Sequence, residues 1–120
     1  MNKLLKRERL LEWIGRSKDD ISALPPHVKV SFGYRLRRLQ DGLIPEDTKA
    51  LPQFGGGVFE LREQFDRNAY RLVYVVKLKK AIYVLHVFTK KSKSGISLPK
   101  PDAAVITSRL KRAFEIDAES

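Results

Sequence analysis

Three groups of cationic side chains in this 120-residue sequence are of the types that handle phosphate. Arg62 stands in the run VFELREQF, Arg71 opens RLVYVVKL, and Lys90, Lys91 and Lys93 leave the end of AIYVLHVFTK. An arginine fork donates two hydrogen bonds to phosphate oxygens and keeps its proton as negative charge develops on them. Lysines beside it hold a strand as point charges. If paired strands carry these groups, the cations converge on one side or one end of a sheet. For RNA that is enough for a metal-free reaction: the ribose 2′-hydroxyl attacks the adjacent phosphorus, arginines stabilise the dianionic transition state, and a protonated side chain assists departure of the 5′-oxygen. The same residues also admit a purely structural use, in which Arg62 and Arg71 pair across strands with Glu60 or Glu63.

Other chemistries find little support. The sequence has no cysteine, which excludes disulfide scaffolds, cysteine-type zinc sites and thiol catalysis. His27 and His86 lie far apart without ligand spacing, and no acidic cluster suited to magnesium accompanies the β-rich segment, so neither a metal nor a small-molecule cofactor is expected. Gly55, Gly56 and Gly57 lead into a strand with no Lys-Ser or Lys-Thr after them, which reads as a connector and not a phosphate loop. His86, inside an apolar run, reads as a hydrogen-bonded core histidine.

The formal charge is +10, from 24 basic and 14 acidic residues. Lys90, Lys91, Lys93, Lys100, Arg109, Lys111 and Arg112 face a single acid, Asp102, between Phe88 and Arg112. Such clustering points to a polyanionic partner, above all nucleic acid; a solvated lysine-rich surface is the alternative. No membrane association is expected, because the apolar runs are of strand length, and MNKLLKRERLLEW carries charges where an export signal needs an apolar segment. The expected location is cytoplasmic.

These cations need a sheet to hold them. In the first run Phe59, Leu61 and Phe65 alternate with Glu60, Arg62 and Gln64, the period-2 pattern of a strand with one polar face. The second run, from Arg71, and the third, Ile82 to Phe88, are almost continuously apolar and β-branched, as strands covered on both faces are. Asp66, Arg67 and Asn68 supply the first turn and Lys79 and Lys80 the second, giving an antiparallel meander of three strands. Upstream, Leu10, Leu11, Trp13 and Ile14 fit an edge strand, though a helix over Lys3 to Ile14 is also open. Ser17 with Asp20 suits a capping box for a brief helix ended by Pro25 and Pro26. Val28, Phe32, Leu36, Leu39 and Leu43 trace the apolar stripe of a helix from Pro26 to Asp41, with Lys29, Arg35 and Arg38 outside. LIPEDTKALPQFGGG reads as an irregular loop. Ala103, Ile106, Leu110, Ala113 and Phe114 line a C-terminal helix. The whole predicts a single α+β domain over residues 1–120, with frayed tails at 1–8 and 116–120.

The ordered series WIGRSKDDISALPPHVKVSFGYRLRRLQDG, KALPQFGGGVFELRE, YRLVY, IYVLHVFTKKSK and LPKPD, spanning Trp13 to Leu110, resembles the RelE/ParE superfamily of toxins and within it the phage-derived HigB-like branch. The resemblance implies the toxin of a type II toxin–antitoxin pair, a metal-free endoribonuclease that cleaves mRNA in the ribosomal A site. Its implied partner is a cognate helix-turn-helix antitoxin that covers or displaces the cationic surface. By position, Arg71 matches the transition-state arginine of YRLVY, Arg62 a basic residue of the preceding strand, and Lys91 an arginine after the last strand; these three form the implied catalytic set. Lys90 and Lys93 match positions that hold RNA. The tyrosine that RelE itself carries after the basic segment has no match between Ser92 and Lys100, which leaves Phe88 to stack on a base. The general base is open among Glu60, Glu63 and His86. A ParE-like inhibitor of DNA gyrase and a non-catalytic RNA- or partner-binding module are the competing functions that this fold admits.

Overall fold

The computed structural model describes residues 9–76, 78, 81–91 and 98–119, with the backbone alone for Lys91. Its elements run β1 (Leu10–Trp13), α1 (Ser17–Ser22), α2 (Pro26–Gln40), β2 (Thr48–Ala50), a 3-10 turn (Pro52–Phe54), β3 (Val58–Phe65), β4 (Asn68–Val75), β5 (Ala81–Lys91) and α3 (Lys100–Ala118). The strands form one sheet in the order β1-β5-β4-β3-β2. β1 pairs parallel with β5, and the other neighbours are antiparallel. The α+β reading therefore holds with five strands in place of three: the edge strand exists, and β2 emerges from the segment read as loop.

Each apolar run forms a strand because both faces are covered. Leu61, Tyr70, Leu72, Tyr74, Ile82, Val84 and Val87 meet Ile21 of α1 and Val28, Phe32, Leu36 and Leu39 of α2 on one side. Val58, Val73, Val75, Tyr83, Leu85 and Phe88 meet Ile106 and Ala113 of α3 on the other. Most of these side chains are fully buried, each worth about 1.5–3 kcal/mol relative to exposure. The first hairpin is a two-residue turn, Asp66 and Arg67, both at positive φ (53° and 67°), the backbone that matches the twist of the flanking strands. Asn68 already belongs to β4. Lys79 and Lys80, the expected second turn, lie outside the described residues.

Several local expectations are corrected. Ser17 does not cap α1; its hydroxyl is buried and donates to the Val84 carbonyl at 3.2 Å. Arg35 is on the buried side of α2, 7% exposed. Residues 116–118 continue α3 instead of fraying, and the Tyr83 hydroxyl donates to Asp117 Oδ1 at 3.2 Å. Phe114 is exposed, so the packed face of α3 is narrower than the sequence pattern suggests.

One irregularity decides which face the end of β5 presents. Val73 pairs with His86 but Tyr74 with Val84, so Leu85 is an extra residue, a β-bulge. Before it, Tyr83 points toward α3; after it the parity is reversed, and Phe88 does too. Without the bulge, residues 86, 88 and 90 would face α2. Arg109 of α3 donates from Nη1 to the Leu85 carbonyl at 2.9 Å, satisfying a group the bulge takes out of the ladder. Gly15, at φ +61°, makes room for that guanidinium: a Cβ there would lie 2.7 Å from Arg109 Nε.

Candidate nucleic-acid interface

The register stacks the chemically active side chains in rows across the face that α3 covers only in part. Lys49 of β2, Glu60, Val73 and His86 form one row; Arg62, Arg71 and Phe88 the next; Gln64, Ala69 and Lys90 the third. Two arginines directly opposite each other repel, and Glu60 resolves the conflict. This carboxylate is 2% exposed. Its Oε1 accepts from Arg71 Nη1 at 3.1 Å and lies 3.8 Å from Arg62 Nε. Arg71 is thereby fixed, its side chain 11% exposed, while Arg62 stays 46% exposed. Arg71 Nε is buried and has no hydrogen-bond partner among the described residues. That donor is costly to leave unpaired, and a phosphate oxygen would relieve the cost.

Lys90 is buried on the same face. Burial, and then the nearby Arg71, Arg62 and Lys49 charges, push its amine below the usual lysine range against the opposing pull of Glu60. Beside these groups a cavity of about 330 Å³ is lined by Asp47, Arg62, Glu63, Gln64, Ala69 and Arg71. Two guanidiniums and two amines thus surround one buried carboxylate, an excess of positive charge suited to an anionic ligand.

The sequence-derived candidates divide accordingly. Arg62, Arg71 and Lys90 come together. The Lys91 side chain and all of Lys93 lie outside the described residues. Phe88 is corrected: it is buried in the α3-side core and stacks on His86 at 4.8 Å, so its ring is already engaged and is not an open platform for a base. All three candidate general bases are engaged as well. Glu60 holds Arg71. Glu63 accepts from Arg35 Nη2 at 2.8 Å and from Ser31 Oγ at 2.7 Å. His86 Nε2 is 2.7 Å from Asp102 Oδ1, which ties the first turn of α3 to the sheet. The structural use of the arginines is therefore realised, since Glu60 orders both, and both also line the cavity.

Two contributors were missed in the sequence. Lys49 was assigned to a loop, yet β2 sets it opposite Glu60. Arg35 braces the arginine strand from behind, its Nη1 donating to the carbonyls of Arg62 at 3.0 Å and Glu46 at 3.3 Å. Its spacing from Phe32 and Leu39, three and four residues, places it on the apolar stripe and was a usable signal.

A family model described as "Phage derived protein Gp49-like (DUF891)" matches residues 19–111. The chain belongs to this Gp49-like family. Among solved structures, the E. coli toxin RelE, as an arginine-to-alanine double mutant in the free state, matches with a TM-score of 0.57 and 18% identity, covering 88% of this chain and 97% of that one. This Gp49-like chain therefore shares the fold of that RelE structure. No curated protein matches the sequence significantly. Among the described residues no helix is long and apolar enough to cross a membrane.

Proposed function

We propose that this Gp49-like protein is the toxin of a type II toxin–antitoxin pair, a ribosome-dependent endoribonuclease that cuts mRNA in the A site. The observation that carries the reading is the convergence of Arg62, Arg71 and Lys90 around the buried Glu60, beside an open cavity. In the reaction, the 2′-hydroxyl of the scissile nucleotide releases its proton to water as its oxygen bonds to phosphorus, and the P–O bond to the 5′-oxygen breaks, leaving a 2′,3′-cyclic phosphate and a 5′-hydroxyl. Arg71 and the more exposed Arg62 bind the non-bridging oxygens as their charge grows. Lys90, with its proton held less tightly than that of an ordinary lysine, is suited to donate to the departing 5′-oxygen; Lys91 and Lys93 bind flanking phosphates. The chemistry runs on side-chain cations alone and calls for no cofactor. A ribosome supplies the rest, holding the mRNA backbone in a geometry that permits in-line attack. The cognate helix-turn-helix protein acts as antitoxin.

The test is induction of the protein in growing cells with mapping of mRNA 5′-ends, wild type beside Arg71→Ala. New ends within translated frames that disappear in the variant support the reading. Intact transcripts with arrested replication would replace it with gyrase inhibition, and RNA binding without cutting would replace it with a non-catalytic module.

A further inference from the structure

We propose that a base-recognition subsite adjoins the cationic cavity, in the depression between α2 and the start of β2, and that it takes the guanine of a nucleotide flanking the scissile phosphate. The inference rests on the toxin reading above for its substrate and deepens it by naming what selects the cut. The depression holds about 380 Å³, and Tyr34, Arg38, Glu46, Asp47 and Glu63 are in its lining. Asp47 and Glu63 also line the cationic cavity, so the two are adjoining parts of one groove. An RNA strand with a phosphate on Arg62 and Arg71 therefore brings a neighbouring base to the boundary that Asp47 marks.

Local structure fixes this lining. The segment before β2 is held at two points: the Pro45 carbonyl accepts from Thr48 Oγ1 at 2.6 Å, and the Glu46 carbonyl from the buried Arg35 at 3.3 Å. Asp47 follows at φ 57°, a left-handed backbone that aspartate tolerates better than most residues do. Its carboxylate is exposed, and among the described residues no ion pair or hydrogen bond holds it. Glu63 is already engaged by Arg35 and Ser31 and forms a shared wall. On α2 the Tyr34 ring is 62% exposed, and Arg38 Nη1 donates to its hydroxyl at 3.3 Å, which leaves further donors on that guanidinium.

The lining is mixed in charge, and that selects the ligand. The exposed carboxylates of Glu46 and Asp47 turn away a second phosphate, and an acidic peptide with it, while the Tyr34 ring offers a face for stacking. A nucleobase is the part of RNA that carries no charge, presents a π-face and donates N–H. Guanine alone sets two such donors side by side, at N1 and N2, to match both oxygens of one carboxylate. Its O6 and N7 are the acceptor pair that an arginine fork reads. Asp47 at the entry to β2 and Arg38 on α2 supply these two partners. Uracil would face the carboxylate with carbonyls on both sides of its N–H, and adenine and cytosine offer it a single amine.

The test uses the full chain on programmed ribosomes with an mRNA made in two forms, guanine or hypoxanthine at each flanking position in turn, the second base lacking only the N2 amine. Wild type is expected to favour guanine by about 10-fold or more in kcat/KM at one of these positions. Asp47→Asn, which keeps a residue tolerant of positive φ, is expected to abolish that preference whatever its effect on the absolute rate. Contributions of the ribosome are common to both proteins and cancel in the comparison. Tyr34→Ala is expected to weaken both forms alike, by about 10-fold or more, and thermal melting checks that the variants are folded. Equal cleavage of the two mRNAs by wild type, or a preference that survives Asp47→Asn, overturns the subsite. So does a Tyr34→Ala variant that cuts normally but escapes the antitoxin, which would give the depression to a protein partner. If wild type leaves mRNA uncut, the toxin reading fails, and the same guanine–hypoxanthine comparison in oligoribonucleotide binding to the free protein decides the subsite by itself.

Discussion

Glu60 and Arg71 make the central question measurable, because a structural pair and a catalytic arginine respond differently to a double-mutant cycle. Arg71→Met removes the partner that Glu60 holds at 3.1 Å and leaves a carboxylate 2% exposed with Arg62, 3.8 Å away on a half-exposed side chain, as the remaining guanidinium beside it. Breaking a fully buried pair costs about 3–5 kcal/mol; with Arg62 still present, about 2–3 kcal/mol is expected. Glu60→Gln keeps an acceptor for Arg71 and should cost about 1–2 kcal/mol. In Glu60→Gln/Arg71→Met no buried carboxylate is left without its arginine, so the double variant should be more stable than the sum of the singles by about 1–2 kcal/mol in urea unfolding. Cleavage on programmed ribosomes, in single turnover at a temperature where every variant is folded, should behave otherwise. Arg71→Met should lose about 100- to 1000-fold, the range for one removed charge stabiliser, and the double variant should recover none of it. Recovery of cleavage in step with stability would refute the reasoning and reduce Arg71 to a scaffold residue.

Other consequences follow from neighbouring contacts. Arg35→Leu strands Glu63 and frees the Arg62 carbonyl; it should cost about 3 kcal/mol in chemical denaturation and weaken RNA binding although Arg35 lines no part of the cationic cavity. Gly15→Ala forces positive φ on an alanine and pushes Arg109 off the bulged Leu85 carbonyl, for a loss of about 1–2 kcal/mol by thermal melting. Burial pushes the Tyr74 phenol up to about 12, against 10.0 ordinarily, and the Tyr83 phenol is raised as well. Both favour the protonated form in the fold, so their contribution is complete below pH 10 and declines as pH rises above it, for Tyr74 by roughly 2–3 kcal/mol by about pH 12. Unfolding monitored together with phenolate absorbance across that interval checks it; a flat stability profile would contradict it.

How much of this was legible depended on whether a pattern had a period. Val28, Phe32, Leu36 and Leu39 recur at helical spacing, and α2 buries all four. The β4 and β5 runs declared themselves by continuous apolarity because both of their faces are covered. That same continuity hid the bulge: VLHVF has no polar alternation from which a parity change could be read, yet the change decides that Phe88 and Lys90 face away from α2. β2 was invisible for another reason. Thr48, Lys49 and Ala50 have no strand pattern of their own and are ordered by pairing with β3, so Lys49 went unnoticed. Glu60 was typed as a polar-face residue and is buried, because the arginines around it make its burial affordable.

The most direct measurement is the chemistry of the cut ends on a single mRNA held in a programmed ribosome with this protein and an excess of chelator. The account predicts a 2′,3′-cyclic phosphate upstream, a 5′-hydroxyl downstream, and no product when the scissile nucleotide carries 2′-hydrogen. A 5′-phosphate end, or cleavage that persists on the 2′-deoxy substrate, would contradict it.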